Sequence, residues 1–182
     1  SVTTADCQRY LDGVEGASFA SSGLDESAEQ KKSAVAIGDP KTGKAVREAC
    51  LELAGKKLIV GMQDMGAAGI VCSTCETAYK AGTGMEIDIA LVPRKEEGMT
   101  PYEIMLSESQ ERMLLIVRPD RIGKVKAVFA KRGVQCSVIG KVTVDRILRV
   151  KEGGKAVAEV PAEALAVGPE YTREKKRPAY LK

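Results

Sequence analysis

Apolar and polar positions along this chain fall into blocks with two different periods. From Lys44 to Ala54 the apolar residues Ala45, Val46, Ala49, Cys50 and Leu53 form the stripe of one helix face. Ala67–Ala81 reads as a second helix, entered through Gly66 and Gly69. Pro101–Leu106 predicts a short helix with Thr100 as its cap and Pro101 in the first turn. Arg121–Arg132 is amphipathic and stops at Gly133, where a C-terminal cap belongs. Between these lie short apolar runs at Ser33–Ile37, Leu58–Met62, Arg112–Val117 and Cys136–Val142, each read as a strand. Met85–Val92 alternates instead, with Glu86 and Asp88 facing away from Ile87 and Ile89, so it predicts a half-exposed strand. Ile147–Val150 and Ala156–Val160 predict a hairpin around Gly153-Gly154.

Helices and strands therefore alternate before closing in a hairpin, which predicts an α+β fold with helices packed on a layered sheet. The stretch 112–142 is strand–helix–strand, with a right-handed crossover if the two strands are parallel neighbours. Residues 1–32 are polar and weakly periodic and read as a loop-rich lead-in. Residues 33–171 carry the domain, and 172–182 form a charged tail.

Composition narrows the chemistry. Aromatic residues make up only 4% and Trp is absent, so the core must be aliphatic. The net charge of +3 gives no reason to expect nucleic-acid binding by bulk electrostatics. There is no histidine, which removes the commonest neutral-pH base and the commonest metal ligand. Carboxylates, Lys, Cys and backbone groups remain. Five scattered cysteines suggest no disulfide framework and fit a reducing, cytoplasmic location. No apolar run is long enough to span a bilayer.

Four stretches could carry function. Gln63-Asp64-Met65-Gly66-Ala67-Ala68-Gly69 joins a strand to a helix, the junction at which layered α/β proteins bind ligands. A carboxylate there suits Mg²⁺, which takes one or two carboxylates plus phosphate oxygens and water. Asp64 capping the helix explains the same spacing equally well. Leu106-Ser107-Glu108-Ser109-Gln110-Glu111-Arg112 offers the donors and acceptors that an amide- and hydroxyl-bearing ligand needs, although polar residues are ordinary at a strand's entrance. Gly38 through Lys44 has the spacing G-x-x-x-x-G-K, but Ala45 stands where a phosphate loop needs a hydroxyl and Pro40 removes a backbone donor. Cys72 and Cys75 share a helix face and lack the second pair a zinc site requires, so they read as core.

These strings occur in one order with Asp12-Gly13-Val14-Glu15-Gly16, Gly38-Asp39-Pro40 and Gly98-Met99-Thr100-Pro101-Tyr102-Glu103. Over about residues 12–171 the chain resembles the synthetase component of phosphoribosylformylglycinamidine synthase, also called formylglycinamide ribonucleotide amidotransferase. The resemblance places it as the C-terminal lobe of that protein's first aminoimidazole-ribonucleotide-synthetase-like half. The implied fold is a three-layer α-β-α sandwich with a mixed sheet, with residues 1–32 belonging to the interdomain region.

The implied function is a lobe of an ATP-dependent purine-biosynthetic ligase that converts formylglycinamide ribonucleotide to the amidine, with glutamine as nitrogen donor. The isolated chain is expected to be inactive, because the family's catalytic histidines lie upstream and ATP is held mainly by domains absent here. By the resemblance, Asp64 corresponds to a Mg²⁺ ligand, and Glu108, Ser109 and Gln110 to a triplet that contacts the nucleotide substrate. Gly38, Asp39, Gln63 and Gly66 are weaker candidates. Implied partners are the remaining domains of the parent, a glutaminase component and, through a face those domains would leave bare, a second copy in a homo-dimer. Three positions depart from the family: Glu15 replaces His, Ala36 replaces a substrate-contacting Gln, and Lys41 replaces Phe. These departures motivate an alternative, a binding or regulatory module without catalysis. A small P-loop phosphotransferase is the remaining rival.

Overall fold

Val46, Ala49, Cys50 and Leu53 are buried along one side of helix α1 (Pro40–Gly55), as their spacing predicts. The other helices are α2 (Gly69–Ala81), α3 (Pro101–Leu106), α4 (Ile122–Ala130) and α5 (Ala162–Ala166). The strands are β1 (Val2–Asp6), β2 (Gly13–Val14), β3 (Gly61–Asp64), β4 (Gly84–Asp88), β5 (Ser107–Glu108), β6 (Met113–Ile116), β7 (Gln135–Thr143), β8 (Ile147–Glu152) and β9 (Lys155–Pro161). The computed structural model describes residues 2–6, 13–14, 39–65, 68–94, 98–108, 112–174, 176 and 180. The strand expected at Ser33–Ile37 lies outside them.

Seven strands form one mixed sheet in the order β3-β6-β1-β7-β4-β8-β9, and β2 pairs with β5 in a separate ribbon. Among the described strands only β4 and β8 pair in parallel. Leu114 and Leu115 on β6 are both fully buried but join opposite cores, so this part of the sheet is covered on both faces. On one face α2, α3 and α5 pack Ile70, Cys75, Ala78, Ile104 and Ala162 against Met85, Ile87, Ile139 and Leu148. On the other, α1 and α4 pack Val46, Leu53, Val125 and Phe129 against Leu115 and Val117. This is the three-layer α-β-α arrangement with a mixed sheet.

The second face changes character beyond β7. There Glu86 of β4 lies between Lys141 of β7 (3.2 Å) and Lys151 of β8 (3.0 Å). Arg149 of β8 joins Asp145 (3.2 Å) to Glu159 of β9 (2.6 Å). The Lys151 hydrogen bond, helped by Lys141, holds the Glu86 carboxyl below its ordinary value. A depressed carboxyl contributes stability above its unfolded pKa and loses it as pH falls through the folded one. Acid titration followed by urea unfolding should therefore show a steeper fall below about pH 4.5 in the wild type than in Glu86→Gln. Matching acid limbs would remove Glu86 from this account.

Several expectations shift. Val2–Asp6, read as part of a loop-rich lead-in, is a strand between β6 and β7. It therefore belongs to the central sheet. The strand expected at Leu58–Met62 begins at Gly61, because Leu58 N–H is used by the Leu53 carbonyl (3.0 Å) as the chain leaves α1. Met85–Val92 is strand only to Asp88, whose carboxylate accepts from Ala90 N–H (3.0 Å) and starts a 3₁₀ turn over Ile89–Leu91. The strands flanking α4 are parallel but not neighbours, since β1 lies antiparallel to both and between them.

Candidate functional site

Asp64 is the last residue of β3, and the antiparallel pairing of β3 with β6 sets it opposite Met113. One residue on, Met65 N–H donates to the Arg112 carbonyl (3.1 Å), so the start of the Gln63-Asp64-Met65 loop is tied to the end of the 107–112 segment. Met65 is buried while Asp64 is exposed, as strand alternation requires. Gln63 Nε2 donates to Asp64 Oδ1 (3.2 Å), and no cation pairs with this carboxylate among the described residues.

Asp64 does not cap α2. The residue in the cap position is Ala68, which makes no side-chain cap bond. The chain enters this helix through two successive left-handed residues, Ala68 (φ +62°) and Gly69 (φ +52°). A β-carbon on Gly69 would fall 2.1 Å from the Ser107 carbonyl oxygen. Gly69 is therefore the seat on which β5 rests. The other side of β5 is taken by β2, with Gly13 opposite Glu108 and Val14 opposite Ser107. Backbone from three separate motifs thus meets at Ser107–Glu108.

Ser107 itself is buried and held from both directions. The Arg112 guanidinium donates to its carbonyl and to its Oγ (2.9 Å), and Ser107 Oγ donates to the Ile104 carbonyl (3.0 Å). The Glu108 side chain and residues Gly38, Gly66, Ser109 and Gln110 lie outside the described part of the structure. The structure therefore brings Asp64, Gln63, Gly69, Ser107 and the backbone of Glu108 to one rim.

The described part of this stretch, Asp39–Lys44, does not form a phosphate loop. Helix α1 begins at Pro40, and the Asp39 carboxylate accepts from Lys41 N–H (3.1 Å) and Thr42 Oγ1 (2.7 Å). Amides and hydroxyl that a phosphate would use are thus taken up by the protein's own anion. Lys44 points along the helix toward Glu48 (3.9 Å). The P-loop phosphotransferase reading is corrected on these grounds, and Asp39 is a helix cap.

Cys75 is buried, while Cys72 donates its thiol to Glu76 Oε1 (2.8 Å). Burial, with the neighbouring Glu76 charge, pushes the Cys72 thiol up to about 12, so a thiolate nucleophile is not available at neutral pH. Among the described residues no group of three metal-binding side chains assembles, and no helix is long and apolar enough to cross a membrane.

Two residues that organise this rim are missed by sequence reasoning. Arg112 reads as the end of a polar cluster and the first residue of a buried strand. An Arg directly before the apolar run Met113–Val117 was the available signal, since a charge at a buried strand's entrance needs an internal partner. Gly69 reads as a glycine at the helix entrance within the Gln63–Gly69 motif, with no sign of its contact to Ser107. Away from the rim, an apolar groove of about 660 Å³ runs between α3 and β8–β9, lined by Tyr102, Met105, Leu148, Val157 and Leu165. Among the described residues it presents no charged side chain for a phosphorylated ligand.

The model of the family "AIR synthase related protein, C-terminal domain" matches residues 3–152. "Phosphoribosylformylglycinamidine synthase subunit PurL" of Moorella thermoacetica is 56% identical over 171 residues, covering 93% of this chain and 23% of the relative. The chain thus spans about a quarter of the length of the relatives it matches. The solved structure "T. maritima PurL complexed with FGAR" superimposes with a TM-score of 0.84 at 33% identity, covering all of this chain and 30% of that one. "Structure of PurLQS from Thermotoga maritima" gives 0.74 at 27% identity, covering 97% of this chain and 28% of that one.

Proposed function

From the premise that the chain belongs to the AIR synthase related protein C-terminal domain family, we propose that it is the substrate- and Mg²⁺-binding lobe of an ATP-dependent amidotransferase acting on formylglycinamide ribonucleotide. The observation that supports this reading is the backbone link between the two motifs: Met65, the residue after Asp64, donates to the Arg112 carbonyl, and the Arg112 side chain binds Ser107, against which Gly69 packs. The likeness to a PurL bound to FGAR supports the nucleotide as ligand, and the likeness to PurLQS supports further subunits, among which we place the glutaminase that the family resemblance implies.

The residues fit a shared metal. Asp64 is an exposed carboxylate at a strand end, free of any cation among the described residues. Mg²⁺ is satisfied by such a carboxylate together with phosphate oxygens and water. Bound there, it would offset charge on a phosphoryl group in transfer. Asp64 supplies the anchoring charge, and the left-handed entry to α2 allows backbone to approach an anion at a helix start. Glu108, Ser109 and Gln110 hold and orient the substrate's amide and hydroxyl groups.

Orientation matters because an amide oxygen is a poor leaving group. Phosphorylation by ATP, held mainly by the rest of the parent protein, makes it a good one for displacement by ammonia. The lobe's contribution is to fix the reacting amide in place, which converts encounter into an oriented reaction.

Asp64→Asn and Glu108→Gln in the full-length parent are expected to lower kcat/KM for formylglycinamide ribonucleotide by roughly 100-fold each, about 3 kcal/mol of lost charge-assisted interaction. Asp64→Asn should raise the Mg²⁺ concentration needed for half activity, and Glu108→Gln should raise the nucleotide KM. Both variants should melt with the wild type. Wild-type kinetics in either would refute the role given to that residue.

A further inference from the structure

We propose that the apolar groove between α3 and β8–β9 seats a segment of the same polypeptide that lies outside residues 1–182, and that this segment enters through its side chains rather than as an added strand. Family membership, not the roles given to Asp64 and Glu108, is the ground for it. The groove measures about 660 Å³. Among the described residues that line it, Thr100 alone lacks a largely apolar side chain, and its hydroxyl is already bonded to Glu103 (2.8 Å). Its walls stand open to solvent: Tyr102 on α3 is 64% exposed, Val157 on β9 44% and Leu165 on α5 42%. Soluble monomers rarely leave a contiguous apolar patch of this kind uncovered.

One wall is shaped by an irregularity of the sheet. β9 sets Ala158 against Val150 but Ala156 against Lys151, so Val157 is the extra residue of a bulge. A bulge re-aims a side chain. Val157 and Ala158, which regular alternation would send to opposite faces, here both line the groove. Val157 belongs to neither core, so the bulge serves the groove.

Three features select the occupant. β9 is the last strand of the sheet, but Lys155, the bulge and Pro161 are devices that discourage strand addition at an edge. A second copy would set groove against groove across a two-fold axis, and two concave surfaces leave each other unfilled. A subunit that dissociates meets its partner through a surface about as polar as the rest of its exterior, whereas strongly apolar seats belong to obligate contacts. A segment tethered by the chain itself meets that condition. There is chain to supply it, since residues 1–182 span only 23% of the Moorella relative.

The test uses the full-length parent carrying Tyr102→p-benzoylphenylalanine. Irradiation and peptide mass spectrometry should give a cross-link to a residue of the same polypeptide outside 1–182, on a product that runs as a monomer in a denaturing gel. A dimer-sized product, a cross-link to another subunit or to another part of residues 1–182, or no cross-link at all overturns the proposal. Val157→Glu gives a second measurement. Its carboxylate, set against a docked apolar segment, should lower the parent's first unfolding midpoint by roughly 2–5 °C, while Val144→Glu, at a position 94% exposed between β7 and β8, should leave it within about 1 °C. Equal midpoints for the two variants also overturn it. If Val157→Glu does not fold, the cross-link decides alone. Neither readout involves the kinetics of Asp64→Asn or Glu108→Gln, so the docking seat and the functional reading fail separately.

Discussion

Gly69→Ala is expected to destabilise the domain by roughly 2–5 kcal/mol, the sum of forcing a side chain into left-handed backbone and overpacking a closed contact. Its φ of +52° is one half of the penalty. The other half is steric: the new methyl would meet the Ser107 carbonyl oxygen at 2.1 Å and the carbonyl carbon at 2.9 Å. Both atoms are backbone, so no rotamer change relieves the clash. Ser107 cannot retreat freely either, because Arg112 holds it from the other side. Urea unfolding of the domain, alone or within its parent, measures the effect. Gly55, at the end of α1 with nothing within 4 Å of its would-be β-carbon, is the internal control. Gly55→Ala should be neutral or stabilising by up to about 1 kcal/mol. Equal midpoints for the two alanine variants would mean that β5 does not rest on Gly69.

Phe129→Ala should cost about 3–5 kcal/mol, the range for truncating a buried aromatic. Phe129 on α4 is fully buried in the core formed with Val46, Leu53, Leu115 and Val125. The chain has only two Phe and no Trp, and its small aliphatic neighbours cannot expand into the space that truncation would leave. Since α1 and α4 meet over this core, the loss should appear as a lower midpoint for the whole domain. Leu51, 64% exposed on the opposite side of α1, gives the comparison: Leu51→Ala should stay within about 0.5 kcal/mol of the wild type. A small loss at 129 would require the α1–α4 layer to contribute little to folding.

Elements whose signals are local are legible in the sequence. Thr100 and Glu103 form a reciprocal capping box at the start of α3, so the short helix is written in four residues. Gly133 adopts a φ of +67° after α4, and Gly153 and Gly154 adopt +57° and +86° between β8 and β9. Elements decided by distant partners are not legible. Val-Thr-Thr-Ala-Asp carries no strand pattern of its own, yet two neighbouring strands recruit it. The five-residue α5 has no side-chain cap and is held where Ala162 N–H donates to the Arg146 carbonyl (3.0 Å).

The site divides in the same way. Family likeness names Asp64 and the 108–110 triplet, but the residues alone leave Asp64 equally able to cap a helix. Only the pairing of β3 with β6 shows that it ends a strand and that Ala68 occupies the cap position. The anchoring role of Arg112 is invisible for a related reason. Its bond to Ser107 is short-range, but its meaning depends on Gly69, which the fold delivers from elsewhere.

The place of β1 has a bearing on how such a domain is made. Its partners are more than a hundred residues downstream, Ala5 beside Met113 and Asp6 beside Gln135. At translation rates of roughly 5–20 residues per second, this strand leaves the ribosome on the order of ten seconds before the last of them. Until it inserts, β6 and β7 border an open slot with unpaired amides and carbonyls on both sides, the kind of edge that recruits strands from other molecules. Among the described strands β1 thus cannot complete its pairing until β6 and β7 exist, and the nascent domain depends on that strand staying unpaired until its slot exists.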